Sequence, residues 1–223
     1  MNFIRATIAK PGPPVAYSLP MSGRFIVIEG IDGSGKSTLA KRLEAALLAR
    51  KRRVVRTREP GGTPLGERIR GLLLAPQNKA MVPFTELFLF MACRAQLVDE
   101  LIRPSLKRGA VILLDRYYYS TAAYQGAAGR IGMPVVLDVA ERVARFPKPD
   151  LVLLLDLPPA RARGRDGIRN DRIESKGLAY QQRVRRGFLT LARREPKRFC
   201  ILDATRPADE VFASAWKAVT RAL

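Results

Sequence analysis

The stretch Gly30-Ile31-Asp32-Gly33-Ser34-Gly35-Lys36-Ser37 decides the fold of this chain. It fits the pattern G-x-x-x-x-G-K-[ST], the P-loop, whose backbone N–H groups surround phosphate oxygens. An apolar run precedes it at residues 25–28 and a helical pattern follows it, which is the strand, turn and helix order that the motif requires. In this motif the lysine reaches the β- and γ-phosphates, and the hydroxyl residue after it ligates Mg²⁺. We therefore predict a site for a nucleoside triphosphate and Mg²⁺ that contains Gly30, Ile31, Asp32, Gly33, Ser34, Gly35, Lys36, Ser37 and Thr38.

Short apolar runs alternate with helical patterns along the rest of the chain, which is typical of βαβ units and a parallel sheet. The predicted strands are residues 25–29, 54–57, 111–115, 151–156 and 199–203. The predicted helices are residues 36–51, 64–74, 84–107, 117–125, 134–145, 177–194 and 207–222. Because the strands are almost wholly apolar, we expect a five-stranded parallel sheet with helices on both faces. The predicted fold class is α/β, of the P-loop NTPase type.

The length of 223 residues suits a single domain, and a hydrophobic content of 47% is enough for a sizeable core. Residues 1–20 contain four prolines and no continuous apolar stretch. We expect either a disordered N-terminal extension there or an upstream start codon, with Met21 as the functional start. No apolar run approaches the ~20 residues that span a bilayer. Cys93 and Cys200 lie in apolar patterns, and we expect free thiols in a reducing cytoplasm.

The chain is strongly basic, with 40 Lys and Arg against 20 Asp and Glu and a net charge of +20. Such a charge favours polyanionic partners, nucleotides or nucleic acid, or it is a solvated basic surface. The aromatic residues are not interleaved with the basic runs, so nothing beyond charge indicates nucleic-acid binding. The chain has no histidine, which excludes histidine as a general base or a metal ligand.

Two further strand ends carry charged residues. Asp115 and Arg116 end the third strand, where a P-loop protein places a carboxylate near Mg²⁺ and an arginine can hold a phosphate. An N-cap role for Asp115 is the compatible alternative. Arg58 ends the second strand before the turn Glu59-Pro60-Gly61-Gly62, whose first bond is a candidate cis peptide. Since ligands lie outside the carboxyl ends of parallel strands, these groups are expected in one crevice.

Two other segments admit a binding role or a plain structural one. Phe90 and Arg94 are four residues apart, hence on one helical face. They suit a nucleobase, by stacking and hydrogen bonding, or they are a core phenylalanine and a surface arginine. The segment 161–172 carries five arginines and two glycines and is poor in apolar residues. It is either a lid that brings arginines to transferring phosphates or an exposed basic loop.

Taken in order, these stretches resemble the thymidylate kinase family in its bacterial form, over about nine tenths of the chain. The resemblance depends on TREPGGT at residues 57–63, DRYYYSTAAYQG at 115–126 and DRIE at 171–174. Gly33 occupies the P-loop position where the eukaryotic form has an arginine, and in the bacterial form the lid supplies that arginine. The resemblance implies a nucleoside monophosphate kinase-like domain over residues 21–223 with a lid at about 159–174.

The resemblance also implies the site. Asp32 would accept a hydrogen bond from the dTMP 3′-hydroxyl, and Tyr124 would lie near the sugar C2′. The remaining residues implied to bind dTMP are Arg58 and Arg116 at the phosphate, and Phe90, Arg94, Thr121 and Gln125 at the base. The implied catalytic residues are Lys36, Arg116, Arg161, Arg163 and Arg165, and the implied metal ligands are Ser37 and Asp115. Because the lid is about two residues longer than usual, the sequence leaves open which lid arginine reaches the phosphates, with Arg169 behind the others.

The implied reaction transfers a phosphoryl group from ATP to dTMP, with Mg²⁺, in the synthesis of dTTP. The acceptor oxygen is already anionic at neutral pH, so no strong general base is needed, which agrees with the absence of histidine. The alternatives are another P-loop nucleotide or nucleoside kinase and a nucleic-acid-associated NTPase. The resemblance further implies a homodimer. We also expect a cytoplasmic location and neither nucleic-acid nor membrane partners.

Overall fold

The protein is built on one five-stranded parallel sheet, as the sequence predicts, and the strand order in it is β2-β3-β1-β4-β5. The computed structural model describes residues 23–162, 172–173 and 176–223. The strands are β1 (Arg24–Gly30), β2 (Val54–Arg58), β3 (Val111–Asp115), β4 (Leu151–Asp156) and β5 (Phe199–Asp203). In the central strands β1, β3 and β4 almost every side chain is buried, because helices cover both faces.

Helices connect consecutive strands. Their bounds are α1 (Lys36–Ala49), α2 (Pro64–Leu74), α3 (Pro83–Leu97), α4 (Arg103–Lys107), α5 (Tyr118–Thr121), α6 (Met133–Asp138), α7 (Pro159–Ala162), α8 (Gly177–Arg194) and α9 (Ala208–Ala222), with a 3₁₀ turn at Pro76–Asn78. Among the described residues, no helix combines the length and the apolar character that a membrane span needs.

Three of the predicted helices contain a π-helical turn that widens the backbone. The turns are Val98–Ile102 between α3 and α4, Ala122–Ala128 after α5, and Val139–Val143 after α6. Pro104 follows the first turn, where proline cannot donate a helical hydrogen bond and would crowd a regular helix. The predicted helix 117–125 is thus four α-helical residues followed by a wide turn. Wide turns of this kind are frequent at functional sites.

Strand β1 lies between β3 and β4, and its last residue opens the P-loop. The parallel register pairs Ile28 with Asp115 on one side and Gly30 with Leu155 on the other. On the far side of β3, Arg58 pairs with Asp115. The carboxyl ends of β1, β2 and β3 therefore lie side by side, which brings the P-loop, Asp115 and Arg58 to one edge of the sheet.

Two predicted segments fall on residues outside the described ranges. The proposed N-terminal extension, residues 1–20, precedes the first described residue. Of the proposed lid, residues 159–162, which form the helix α7, and residues 172–173 are described, while Arg163, Arg165 and Arg169 lie outside the described residues. The division of the chain into extension, domain and lid stays a prediction.

Candidate active site

The P-loop wraps the start of α1 in the conformation that its glycines permit. Gly33 and Gly35 have φ of 74° and 93°, a left-handed backbone that glycine adopts without a steric penalty. A Cβ at Gly33 would also lie 2.9 Å from the carbonyl oxygen of Ala162 in α7. The start of the predicted lid thus packs directly on the loop, at the position where no side chain can be accommodated.

Lys36 is buried and folds back along the loop. Its Nζ donates a hydrogen bond to the carbonyl oxygen of Ile31 at 2.8 Å and lies 3.7 Å from Asp32. Burial lowers the pKa of Lys36, and Arg116 lowers it further, against the attraction of Asp32. For Asp32, burial opposes ionisation, but the charges of Arg116 and Lys36 outweigh it and hold the carboxyl pKa well below its ordinary value. The loop therefore presents an ion-paired Lys-Asp couple at its centre.

Ser37 and Asp115 form a pair that fits a magnesium ion. The Ser37 hydroxyl donates to Asp115 Oδ2 at 3.1 Å, while Asp115 Oδ1 is buried with no hydrogen-bond partner within the described residues. A buried carboxylate oxygen without a partner is costly unless a ligand or ion supplies the contact. Mg²⁺ prefers one or two protein oxygens together with water and phosphate oxygens. The donor set of a hydroxyl and a carboxylate meets that preference.

A cleft of about 800 Å³ opens beside this pair. That volume lies in the range of sites for small ligands. Its walls are formed by the P-loop, by the ends of β2 and β3, and by α2, α3 and the wide turn after α5. The cleft is lined by Asp32, Gly33, Gly35, Lys36, Ser37, Thr38, Arg58, Glu59, Pro60, Arg70, Leu74, Pro76, Phe90, Arg94, Asp115, Arg116, Tyr117, Ser120, Thr121, Tyr124, Gln125 and Ile173.

Arg116 connects the P-loop to the opposite wall of the cleft, which Ser120 and Tyr124 line. Its guanidinium donates to Asp32 at 2.5 Å and to the Ser120 hydroxyl at 3.0 Å, and it lies over the Tyr124 ring. Its backbone is left-handed, with φ of 69°, a conformation that costs a non-glycine residue about 1–3 kcal/mol. The N–H of Arg116 donates to the carbonyl of Ile28 at 3.0 Å, which holds this backbone against β1.

Glu29 fixes the start of α5, which follows Arg116. It is wholly buried, and its Oε1 accepts hydrogen bonds from the backbone N–H groups of Tyr117 and Ser120 at 2.9 and 3.1 Å. Its Oε2 accepts from the Ser120 hydroxyl at 2.6 Å. Burial raises the pKa of Glu29 to about 7 although these donors and Arg116 favour its ionised form. A strand residue beneath the P-loop thus caps the helix that bears the opposite wall of the cleft.

Phe90 and Arg94 both line the cleft, so the interpretation of Arg94 as a surface arginine is wrong. Arg94 is 1% exposed, because its guanidinium forms a buried ion pair with Glu59 at 2.6 Å. It also donates to Thr121 Oγ1 at 3.0 Å. The Glu59-Pro60 bond is cis, which confirms the candidate at this turn. Arg94 therefore joins the turn after β2 to the helix α5.

Tyr124 and Gln125 enter the cleft from the wide turn after α5. Gln125 is buried and its Nε2 donates to Glu86 Oε1 at 2.6 Å. The Tyr124 hydroxyl contacts Asp32 Oδ2 at 3.4 Å, and burial raises its pKa well above the ordinary value. At residues 122–128 the backbone takes one extra residue per turn, which lets two adjacent side chains line the same cleft.

The two arginines near the turn after β2 differ in their environment. Arg58 lines the cleft but is 56% exposed and paired with Glu67 at 3.1 Å. Arg70, on α2, lines the same cleft and donates to the carbonyl of Pro60 at 2.8 Å. Arg70 is a cleft residue that was not predicted from the sequence. The sequence feature that could have indicated it is its position one helical turn after Glu67, on a helix that begins just after the Pro-Gly-Gly turn.

A second cavity of about 520 Å³ borders the opposite side of the P-loop. Ser34, Gly35 and Thr38 line it from the loop, and Arg42 lines it from α1. The segment after β5, residues 204–208, supplies much of the other wall. The P-loop thus separates two spaces that share Gly35 and Thr38. Arg161, at the surface of α7, is exposed and lines neither space.

A sequence profile described as thymidylate kinase matches residues 28–215. The chain belongs to the thymidylate kinase family. A thymidylate kinase of Deinococcus radiodurans is 48% identical over 200 residues, which cover 89% of this chain and 97% of the relative. One of Chlamydia caviae is 43% identical over 88% of this chain and 97% of the relative. One of Pseudomonas entomophila is 47% identical over 84% of this chain and 90% of the relative.

Membership of this family makes the chain a P-loop nucleotide-binding transferase, with ATP as phosphate donor and Mg²⁺ as metal cofactor. The predicted P-loop NTPase fold and the predicted family are both confirmed. Glu29 and Glu86 are buried polar residues at this site that the sequence analysis did not single out. The signal for Glu29 was a carboxylate inside an otherwise apolar central strand, since an ionised group is rarely buried there without hydrogen-bond donors.

Proposed function

We propose that the cleft binds dTMP and that the chain transfers the γ-phosphoryl group of ATP to it, giving dTDP and ADP. The observation that carries this assignment is the contact between Arg116 and Asp32. It joins a P-loop to a wall that bears an aromatic ring, a buried arginine and a glutamine. The site for ATP, the phosphoryl donor, and the site for a pyrimidine nucleotide, the acceptor, would then lie at the same edge of the sheet.

The base would lie against Phe90, with Arg94, Thr121 and Gln125 at its polar edge. Stacking suits the half-buried ring of Phe90, which packs against the core beside the cleft. Arg94 is held by Glu59 and Thr121, so its direction is fixed before a ligand arrives. Fixed hydrogen-bonding groups favour binding, because less side-chain freedom is lost.

The sugar and phosphate of dTMP would lie between this wall and the P-loop. Asp32 would accept a hydrogen bond from the 3′-hydroxyl, and Tyr124 would crowd a 2′-hydroxyl. Arg116 and Arg58 would hold the 5′-phosphate, Arg58 by exchanging its exposed contact with Glu67 for the phosphate. An exposed ion pair is worth little, so the exchange costs little.

Phosphoryl transfer then needs alignment and charge neutralisation rather than a proton acceptor, because the attacking phosphate oxygen is already an anion. Gly30 to Thr38 would hold the phosphates of ATP, with the second cavity next to the loop for its base. Lys36 would leave the carbonyl of Ile31 and contact the β- and γ-phosphates. Ser37 and Asp115 would hold Mg²⁺, which supplies positive charge to the phosphate oxygens. Arg161, Arg163 and Arg165 are proposed to complete the neutralisation.

The same proposal extends to assembly and location. Half of the ten exposed large apolar side chains in the described residues fall on α2, α3 and the link between them, namely Leu65, Leu72, Val82, Phe84 and Phe88. We propose that two copies pair through this face. Sedimentation of Phe88→Glu, with Val143→Glu as control, tests this, since only the first is expected to give monomers.

We also propose that the protein acts in the cytoplasm on free nucleotides, without nucleic acid.

A coupled assay of ADP release tests the function. Acceptors are dTMP, dUMP, dCMP, dGMP and a blank without acceptor. We expect turnover that requires Mg²⁺ and is fastest with dTMP. A preference for another monophosphate would replace the proposal with a different nucleotide kinase. ADP release that requires DNA instead of a monophosphate would replace it with a nucleic-acid-associated NTPase.

A further inference from the structure

A buried carboxylate, Glu86 on α3, lies between the base-side glutamine and the residues that precede α8. Glu86 is 4% exposed. Its Oε1 accepts from Gln125 Nε2 at 2.6 Å and lies 3.6 Å from Lys176 Nζ, and its Oε2 pairs with Arg172 Nη1 at 2.5 Å. No step of the proposed reaction uses this carboxylate.

The chemistry of a carboxylate dictates how Gln125 is turned. An ionised carboxylate only accepts hydrogen bonds, whereas an amide has a donating nitrogen and an accepting oxygen. Gln125 must therefore direct its nitrogen to Glu86 and keep its oxygen on the other side of the amide. Gln125 lines the cleft and, with its nitrogen engaged by Glu86, can offer its oxygen as an acceptor to a ligand there.

Two basic partners, Arg172 and Lys176, pair with Glu86 and hold it in place. Arg172 is 8% exposed, and its Nε also donates to the carbonyl of Leu73 at 3.1 Å, which fixes the guanidinium against the end of α2. A buried carboxylate is tolerated when it is paired and hydrogen-bonded. Glu86 thus joins α3, the wide turn that bears Gln125, and residue 172.

An acceptor at this position distinguishes pyrimidines by their N3 atom. Thymine and uracil carry an N3–H donor, and cytosine carries a lone pair there. We propose that Glu86 is a positioning residue that fixes the Gln125 amide with its oxygen toward the base, and so selects pyrimidines with an N3–H over cytosine. This inference rests on the proposed function, since it takes the base to lie beside Gln125.

Glu86→Gln tests the inference, because an amide at residue 86 can donate or accept and no longer dictates the turn of Gln125. We expect kcat/KM for dTMP to fall about tenfold, as expected for the loss of one hydrogen bond to the base. The preference for dTMP over dCMP should narrow by at least about that factor. The ratio of dTMP to dUMP should stay unchanged, because both bases present N3–H. A residue that only supports the fold would lower all rates together and leave these ratios alone.

The swap variant Glu86→Gln/Gln125→Glu restores one carboxylate facing one amide, with an acceptor again on the base side. We expect it to recover the preference for dTMP over dCMP. The matched control is Glu44→Gln. Glu44 lies on α1, away from the cleft, and its carboxylate pairs with Arg56 at 2.6 Å. The rates and ratios of this variant should equal those of the wild type.

Each outcome decides the question. A narrowed ratio in the single variant with recovery in the swap supports the positioning role, as does a swap that folds and discriminates when the single variant does not fold. An unchanged ratio in a folded single variant, a folded swap that does not discriminate, or failure of both to fold overturns it. A wild type that phosphorylates dTMP and dCMP equally overturns this inference alone, whereas a wild type inactive on dTMP overturns the proposed function.

Discussion

Replacing Glu29 with glutamine should remove a large part of the pH dependence of stability. The side chain is wholly buried below the P-loop and receives three hydrogen bonds from Tyr117 and Ser120. Glutamine has the same shape, and its oxygen can accept the two backbone hydrogen bonds. Its nitrogen can donate to the hydroxyl of Ser120. The substitution therefore removes a titratable group while it retains the cap of α5.

The magnitude follows from the raised pKa. Burial raises the pKa of Glu29 from 4.5 to about 7 in the folded protein. At about 1.4 kcal/mol per unit, this shift amounts to about 3 kcal/mol. The sign is that of a carboxyl that keeps its proton more tightly when folded. The contribution to stability is fully present below pH 4.5 and is lost as the pH rises through about 7.

Urea unfolding of the wild type and of Glu29→Gln, at the same protein concentration and from pH 4 to pH 8.5, measures this effect. The free energy of unfolding of the wild type minus that of Glu29→Gln should fall by about 3 kcal/mol across the range, while contributions from other groups cancel. With Glu44→Gln as control, the corresponding difference should not show this fall. Parallel curves for the wild type and Glu29→Gln would refute the reasoning, because they would mean that Glu29 titrates alike in both states.

Three further perturbations address the cleft itself. Lys36→Met should lower kcat by ~10²–10⁵-fold while circular dichroism shows a folded protein, since it removes a charge that we propose acts on the transferring phosphoryl group. Normal turnover of dTMP would contradict the proposed mechanism. Asp115→Asn should raise the Mg²⁺ concentration for half-maximal rate by about tenfold or more, as read from a metal titration of the coupled assay. Arg94→Met should lower the free energy of unfolding by about 3–5 kcal/mol, because Glu59 is left buried without its counter-charge; addition of Glu59→Gln should restore part of that loss in the same urea experiment.

Most of the framework follows from local sequence signals. The P-loop, the five strands and the ends of β2 and β3 can be read from apolar runs and from the charged residues that end them. The parallel register then places Arg58 and Asp115 side by side, as predicted from the rule that strand ends share an edge. The alternation of patterns also gave the helices to within a few residues at most ends.

The wide turns were not predictable, because the apolar pattern tolerates one extra residue per turn. The turn Ala122–Ala128 matters most, since it carries Tyr124 and Gln125 into the cleft. The buried partners of the site were missed for a related reason. Glu86 and Arg172 are far apart in sequence, and a single charged residue on an amphipathic helix looks the same whether it faces solvent or a buried arginine. Only tertiary packing distinguishes these cases.

Glu29 links two parts of the cleft mechanically. Strand β1 continues directly into the P-loop, and its Glu29 also holds the first N–H groups of α5. Glu29 therefore links the P-loop, through β1, to the helix that bears the opposite wall of the cleft, and we expect the two to move together. A substitution at Glu29 that cannot accept these hydrogen bonds would remove this link between the P-loop and α5.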